Sequence, residues 1–331
     1  MSTGLPLRAF PFDSDQVTAV VATRHGGVST GAYASLNLGG HVGDKPEAVA
    51  ENRRRLAAAL GVDRLTIADQ KHTATVAVVD GDLAGRGHDG VADSAAAFPG
   101  TDAMITNLPG VALTILVADC APVVLYDPVR RVAGVAHSGR VGTIRGVIPQ
   151  TIRAMTATFG SAPADLLIGI GPAIGAASYE IGAAEASEVM TAFGDAGTQL
   201  LTPTRPGHAT FHLAAGIRRQ LGTAGVPAGN VHDLAIDTRT STDDFFSDRA
   251  ARPCGRFAAI ACLRRSPDHS PGRPCLEASP LAPLVRKHFS ARTIFTLYDR
   301  KVSAIKIVSA LKRRSAPPGT GRTGQVGRHQ P

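Results

Sequence analysis

Two imidazoles and one thiol, His72, Cys120 and His137, fall where the sequence turns, and their types suit a particular chemistry. Imidazole nitrogen and thiolate sulfur are ligands for a borderline or soft metal such as zinc or copper, and three protein ligands leave a further position open to water or substrate. The same residues admit a metal-free reading, with Cys120 as nucleophile, His137 as its base and Asp102 or Asp119 as the carboxylate that orients it. They also admit a plain one, in which Cys120 is a small buried apolar residue and His137 a satisfied histidine at a strand end. Spacing does not choose among the three, because the ligands are scattered and the chain holds 11 histidines.

The stretch 111–143 must do most of the positioning. Residues 111–117, 123–126 and 132–136 are apolar and rich in β-branched residues, as buried strands are, so the polar residues after them stand on a rigid scaffold. Cys120 is expected to close the first of these strands and His137 the last. The glycine-containing loop 138–143 leads into a helix expected over 144–159, where free amides would suit an anion. His72 falls in a tight connection between strands expected at 66–68 and 75–79.

The remaining elements follow from local pattern. Residues 16–23 read as a first strand. Asp44 and Glu47 suggest a capping box for a helix with Pro46 in its first turn, with Val49, Leu56 and Leu60 inward and its end before Gly61. Residues 81–99 form a long Gly/Asp/Ala-rich loop, read as a lid or a mobile connection. Strands are expected at 102–106 and 166–170, helices at 182–193 and 212–224, and a last strand ending at Leu263. Strands both alternate with helices and pair through short turns, which predicts a mixed β-sheet covered by helices rather than a pure βαβ alternation.

The chain has 331 residues, 44% of them hydrophobic, with 36 glycines, ordinary values for a soluble α/β protein. Its net charge of +8 is unevenly placed: residues 264–331 carry 14 Lys and Arg against 3 Asp and Glu, so the preceding residues are slightly acidic. The single domain is therefore expected over 1–263, followed by a basic, Pro/Arg-rich extension over 264–331 that is read as largely disordered. Within that extension Leu281, Leu284, Val285, His288 and Phe289 suit a short amphipathic helix, yet Phe289, Phe295 and Tyr298 are its few stacking residues. Nucleic acid is thus not expected as a partner beyond non-specific contact by the tail. Four cysteines without a CxxC pair, no secretory pattern at the start and no apolar run of membrane-spanning length predict a cytoplasmic protein with no membrane association.

Several separate segments carry a family likeness. TRHGGVSTGAYASLNLGGHVGD, ADC followed by AHSG, GPAIGAASYEIG, and FFSDRA with GRFA resemble the signatures of the multicopper polyphenol oxidase (laccase-domain) family, also described as purine nucleoside phosphorylases. The resemblance covers about residues 19–263. It implies an α+β, three-layer α/β/α fold and a zinc or copper ion held by two His and one Cys, which in this chain fall on His72, Cys120 and His137. Two motifs depart from the family pattern: the usual QVHG is Gln70-Lys71-His72-Thr73, and the usual Trp-Arg after HAG is Arg140-Val141. The ligands survive both changes, but an aromatic plane able to stack a purine is replaced by an arginine.

The activity the resemblance implies is phosphorolysis of adenosine, inosine, guanosine and methylthioadenosine to free base and pentose 1-phosphate, with adenosine deamination beside it, in a monomer or homodimer. Deamination requires a hydroxide at carbon 6 of the purine, which a metal site with an open position supplies by lowering the pKa of water. Phosphorolysis requires positive charge to hold phosphate, for which Arg140 and the amides of 139–143 are candidates. Arg24, Asn37 and Arg256 are candidates for phosphate or ribose, and Gln70 and Asp102 for support of the metal ligands. His25 and His41 are read as loop residues. The alternatives are a copper-dependent phenol oxidase, a cysteine hydrolase using Cys120 and His137, and a non-catalytic binding protein.

Overall fold

The computed structural model describes residues 4–12, 14–89 and 98–265. In chain order the elements are β1 (Leu7–Ala9), β2 (Val17–Ala22), α1 (Pro46–Leu60), β3 (Leu65–Asp69), β4 (Val76–Val78), β5 (Phe98–Pro99), β6 (Ala103–Thr106), β7 (Ala112–Val117), β8 (Ala121–Asp127), β9 (Val132–Ser138), α2 (Arg140–Ile144), α3 (Val147–Phe159), β10 (Leu167–Ile170), β11 (Glu180–Gly182), α4 (Ala183–Phe193), β12 (Leu201–Pro203), β13 (His208–Phe211), α5 (Leu213–Thr223), β14 (Val231–Asp233) and β15 (Phe257–Leu263). They form an α+β fold with two mixed six-stranded sheets, ordered β1-β2-β15-β7-β3-β5 and β14-β10-β8-β9-β6-β4, and a small sheet β11-β13-β12.

The alternation of side chains along each strand shows how the layers stack. Leu113, Ile115 and Val117 of β7 share a core with Val17, Ala19 and Val21 of β2 and with Val124, Tyr126, Ala133 and Val135 of β8 and β9, so the two large sheets pack face to face. Ala112 and Leu116, on the other face of β7, join Leu56 and Ala57 of α1. Val123 and Leu125, on the other face of β8, meet Ile148, Ile152 and Met155 of α3 and Ile217 and Leu221 of α5. The β layer expected between two helical layers is thus a pair of sheets. Each fully buried Leu or Ile contributes about 1.5–3 kcal/mol relative to an exposed one.

Local departures from the sequence reading have local causes. The helix expected over 144–159 is two helices, because Gly146 takes a left-handed conformation (φ 77°) between α2 and α3. Helix α1 begins at Pro46 and ends at left-handed Gly61, as the pattern implies, but no side chain caps its start. Asp44 is engaged elsewhere, accepting bonds from Ser29 Oγ at 2.6 Å and Asn37 Nδ2 at 2.9 Å. The small sheet has no counterpart in the sequence reading, since strands of three and four residues leave little periodicity. The amphipathic segment expected near 281–289 and the middle of the 81–99 loop lie outside the described residues. Among the described residues no helix is long and apolar enough to cross a membrane.

Candidate metal centre and its cavity

All three candidate ligands arise where strands end or the chain passes from one large sheet to the other. His72 lies between β3 of the first sheet and β4 of the second, Cys120 in the turn from β7 to β8, and His137 near the end of β9. Antiparallel pairing of β8 with β9 sets Pro122 opposite His137, which brings Cys120 beside that histidine. One donor atom from each of His72, Cys120 and His137 lies within 4.8 Å of the others. His72 Nε2 is 3.7 Å from Cys120 Sγ, and the two imidazoles meet edge to face with centroids 4.7 Å apart.

Asp102, fully buried, organises the cluster. Its Oδ1 accepts from His137 Nδ1 at 2.8 Å and from the His72 backbone N–H at 3.0 Å, while Oδ2 accepts from the Lys71 and Thr73 N–H groups at 3.1 and 2.6 Å. With Nδ1 committed, His137 Nε2 is the nitrogen left to act as a ligand. Gln70 ties the same loop to β7 through a reciprocal pair with Leu116, Nε2 to the carbonyl at 2.8 Å and N–H to Oε1 at 2.9 Å. His72 itself has φ 57°, a left-handed conformation unusual for a side-chain-bearing residue and held by these bonds.

Cys120 is presented in a similar way. Asp119 before it has φ 83°, and its carboxylate accepts from Thr238 Oγ1 and the Arg249 N–H, each at 2.6 Å. Asp119 is therefore spent on backbone geometry, and Asp102 is the carboxylate that faces His137. Gly139 leaves the room the sulfur needs: a Cβ there would lie 2.4 Å from Cys120 Sγ and 3.4 Å from His72 Cδ2.

The electrostatics favour a deprotonated thiol. Burial pushes the Cys120 pKa up, but the charge of His137 and hydrogen bonds from both histidines outweigh it and hold it at about 6. Burial likewise pushes His137 down, while Cys120 and Asp102 raise it to about 9. For Asp102, burial is outweighed by the bonds from His137 and Thr73, which hold it at about 2. A thiolate, two imidazoles and a carboxylate supporting one of them from behind fit zinc or copper as a donor set. Among the described residues no other group of three or more His, Cys, Asp or Glu side chains is placed to hold a metal ion.

The cluster opens on a cavity of about 610 Å³, within the range of small-molecule sites. Gln70 and Arg256 line it, together with His41, Arg53, Lys71, Asp248 and Arg252. Other candidates do not. Arg24 donates to the carbonyls of Ala34 and Thr242 at 2.8 and 2.7 Å and stacks on Phe246, so it braces two loops. Asn37, fully buried, accepts the Arg256 N–H at 2.8 Å and thereby positions the cavity wall from behind. Arg140 stands at the start of α2, ion-paired with Glu188 of α4.

His41, which stands in a loop as its sequence context implies, and Arg53 are lining residues that no motif marks for the site. The second carried a signal, since Arg53 shares the helical face of Val49 and Leu56 and a charge on an inward face needs an explanation. Its Nε donates to the Leu38 carbonyl at 3.0 Å and its Nη1 to those of Gly87 and His88 at 2.8 and 2.9 Å. Burial lowers its pKa to about 10.

Fold and site together define an α+β protein with a cluster of two histidines and one cysteine between paired sheets, placed so that it could hold a metal ion. A family model described as multi-copper polyphenol oxidoreductase laccase matches residues 18–264, and the chain belongs to this family. It is 40% identical over 245 residues to purine nucleoside phosphorylase SCO2081 of Streptomyces coelicolor, covering 72% of this chain and 93% of that one. Purine nucleoside phosphorylase YlmD of Geobacillus stearothermophilus is 35% identical over 247 residues, covering 73% of this chain and 88% of the relative. The crystal structure of YlmD superposes with a TM-score of 0.72 at 33% identity, over 76% of this chain and 93% of YlmD. That of YfiH from Bacillus licheniformis gives 0.73 at 31% identity, over 77% and 96%.

Proposed function

We propose that the chain is a metal-dependent purine nucleoside phosphorylase, acting on adenosine, inosine, guanosine and methylthioadenosine, with adenosine deaminase activity beside it. The observation that carries the reading is the juxtaposition of the His72, Cys120 and His137 cluster with a cavity of nucleoside size. Relatives named purine nucleoside phosphorylase at 35–40% identity support it.

The chain's own residues then have distinct tasks. Asp102 fixes the tautomer of His137 and the conformation of the His72 loop, and Gly139 keeps the sulfur accessible. His72, Cys120 and His137 would hold zinc or copper, which when bound supplies Lewis acidity for polarising substrate or water. The cavity walls exclude bulk water and hold the nucleoside beside the cluster.

A second reading has its own observation. Cys120, His137 and Asp102 stand in the order nucleophile, base and orienting carboxylate, and the thiol is held near pKa 6, as a metal-free cysteine hydrolase would require. Copper-dependent oxidation of phenols through several metal centres has no such support, given the single donor cluster among the described residues.

Elemental analysis with chelation and alkylation separates these readings. About one zinc or copper per chain is expected, with activity lost in chelator and restored by metal. Activity that persists in chelator and disappears on alkylation of Cys120 makes the protein a cysteine hydrolase. Adenosine should also yield some inosine without phosphate, and its failure to do so removes the deaminase half of the proposal.

A further inference from the structure

Arg140, the arginine nearest in sequence to the metal ligands, is ion-paired with Glu188 and does not line the cavity. Positive charge reaches the cavity from elsewhere. Arg53 comes from the buried face of α1, Lys71 from the loop after β3, and Arg252 and Arg256 from the segment before β15. Two carboxylates face these four cations. Asp69 pairs with Lys71 at 3.0 Å, and Asp248 takes Arg252 Nε at 2.7 Å and Arg256 Nη2 at 3.5 Å. The balance stays positive, and Asp248 holds two guanidinium groups side by side. His41 stands in the same wall; burial, then the charges of Arg256, Lys71 and Arg53, keep its pKa below the ordinary histidine value. That field would favour a dianion placed there.

We propose that His41, Arg252 and Arg256, backed by Arg53, form the phosphate subsite of the cavity that they line together with the His72, Cys120 and His137 cluster. This rests on the phosphorylase reading and deepens it. Guanidinium forks match phosphate oxygens in pairs, and a neutral imidazole contributes one further N–H. Asp248 holds the two guanidinium groups together, and the carbonyls of Cys254 and Gly255 accept from Arg256 Nη1 at 3.1 and 3.0 Å and fix that group further. Asn37 holds the Arg256 backbone, so the arginine wall and the polar loop that carries His41 are fixed to each other.

This placement serves transfer of the glycosyl group from base to phosphate. A phosphate oxygen of HPO₄²⁻ forms the bond to the anomeric carbon as the glycosidic C–N bond breaks. The electron pair of that bond leaves with the base. The proton carried by phosphate ends on the base, giving neutral purine and pentose 1-phosphate.

The test uses the full-length protein and inorganic phosphate as probe, read both by equilibrium binding and by steady-state kinetics with inosine. Arg252→Ala is the primary variant, because that side chain is 77% exposed and its loss does not threaten folding. Arg256→Lys and His41→Gln follow, with Arg218→Ala, whose side chain pairs with Asp233 outside the cavity, as the charge control. The phosphate Kd and KM should rise about tenfold or more in Arg252→Ala and Arg256→Lys, the KM for inosine should change little, and Arg218→Ala should match the wild type. The placement is overturned if phosphate Kd and KM stay at wild-type values in the three wall variants, or if Arg140→Ala alone raises them. Phosphate binding that weakens in the wall variants, in a protein that cleaves no purine nucleoside, would keep the anion subsite and remove the phosphorylase reading instead.

Discussion

The carboxylate of Asp102 accepts a 2.8 Å hydrogen bond from His137 Nδ1, and neither side chain is more than 6% exposed. The same carboxylate oxygen accepts the backbone N–H of His72 at 3.0 Å, so one buried group sets both histidines of the cluster. Asp102→Asn keeps the shape but removes the charge and forces the amide to choose between donor and acceptor. Zinc affinity should fall about 10–100-fold, as is common when such a supporting group is lost. Competition with a chelator of known affinity measures this, and circular dichroism shows whether the fold persists.

Acid stability should report on the same residue. The folded pKa of Asp102, about 2, lies below its ordinary value of 3.8, so its contribution is complete above 3.8 and is lost as pH falls through about 2. The depression corresponds to about 2 kcal/mol. Thermal melts of wild type should therefore decline more steeply between about pH 4 and pH 2 than those of Asp102→Asn. Parallel declines would show that the carboxylate is not held in its charged form.

Two glycines make opposite predictions. A Cβ on Gly139 would press on Cys120 Sγ at 2.4 Å, so Gly139→Ala should lower metal content and activity while leaving most of the fold intact. Gly222, inside α5, has nothing within 4 Å of an added Cβ. Gly222→Ala should leave activity unchanged and raise stability by up to about 1 kcal/mol, seen as a higher Tm.

The strands and the three clustered residues His72, Cys120 and His137 were legible in the sequence because both leave strong local signals. Residues 112–117 and 132–138 are apolar enough to declare themselves as buried strands, and His and Cys are rare enough at turns to stand out. The second sheet was not legible, since alternation along one strand does not say which face meets another sheet. The cavity wall was harder still. Arg24, Arg140 and Arg256 look alike in sequence, yet one braces loops, one pairs with Glu188 and one lines the cavity. Which carbonyl or carboxylate captures a guanidinium is decided by contacts such as Arg24 to Thr242, more than two hundred residues apart in sequence. The place of His41 in the cavity wall is hidden in the sequence for a similar reason, because the charges around it come from α1, the loop after β3 and the segment before β15.

The basic extension offers a prediction about domain organisation. Arg264 still bonds the domain, its N–H donating to the Gln16 carbonyl at 2.8 Å and its carbonyl accepting from Arg131 at 3.0 Å. A chain ending at Arg265 should thus keep the melting temperature and activity of the whole protein while losing salt-sensitive retention on polyanions. A truncated form that melts well below the full chain would mean that the extension contributes to the domain's stability.

The sugar released from inosine separates phosphorolysis from hydrolysis. Purified protein with inosine and phosphate should give hypoxanthine and ribose 1-phosphate in equal amounts, none of either without phosphate, and neither from Cys120→Ala, which lacks the thiolate ligand. Free ribose formed regardless of phosphate, or wild-type turnover in Cys120→Ala, would mean that the protein is not a metal-dependent phosphorylase.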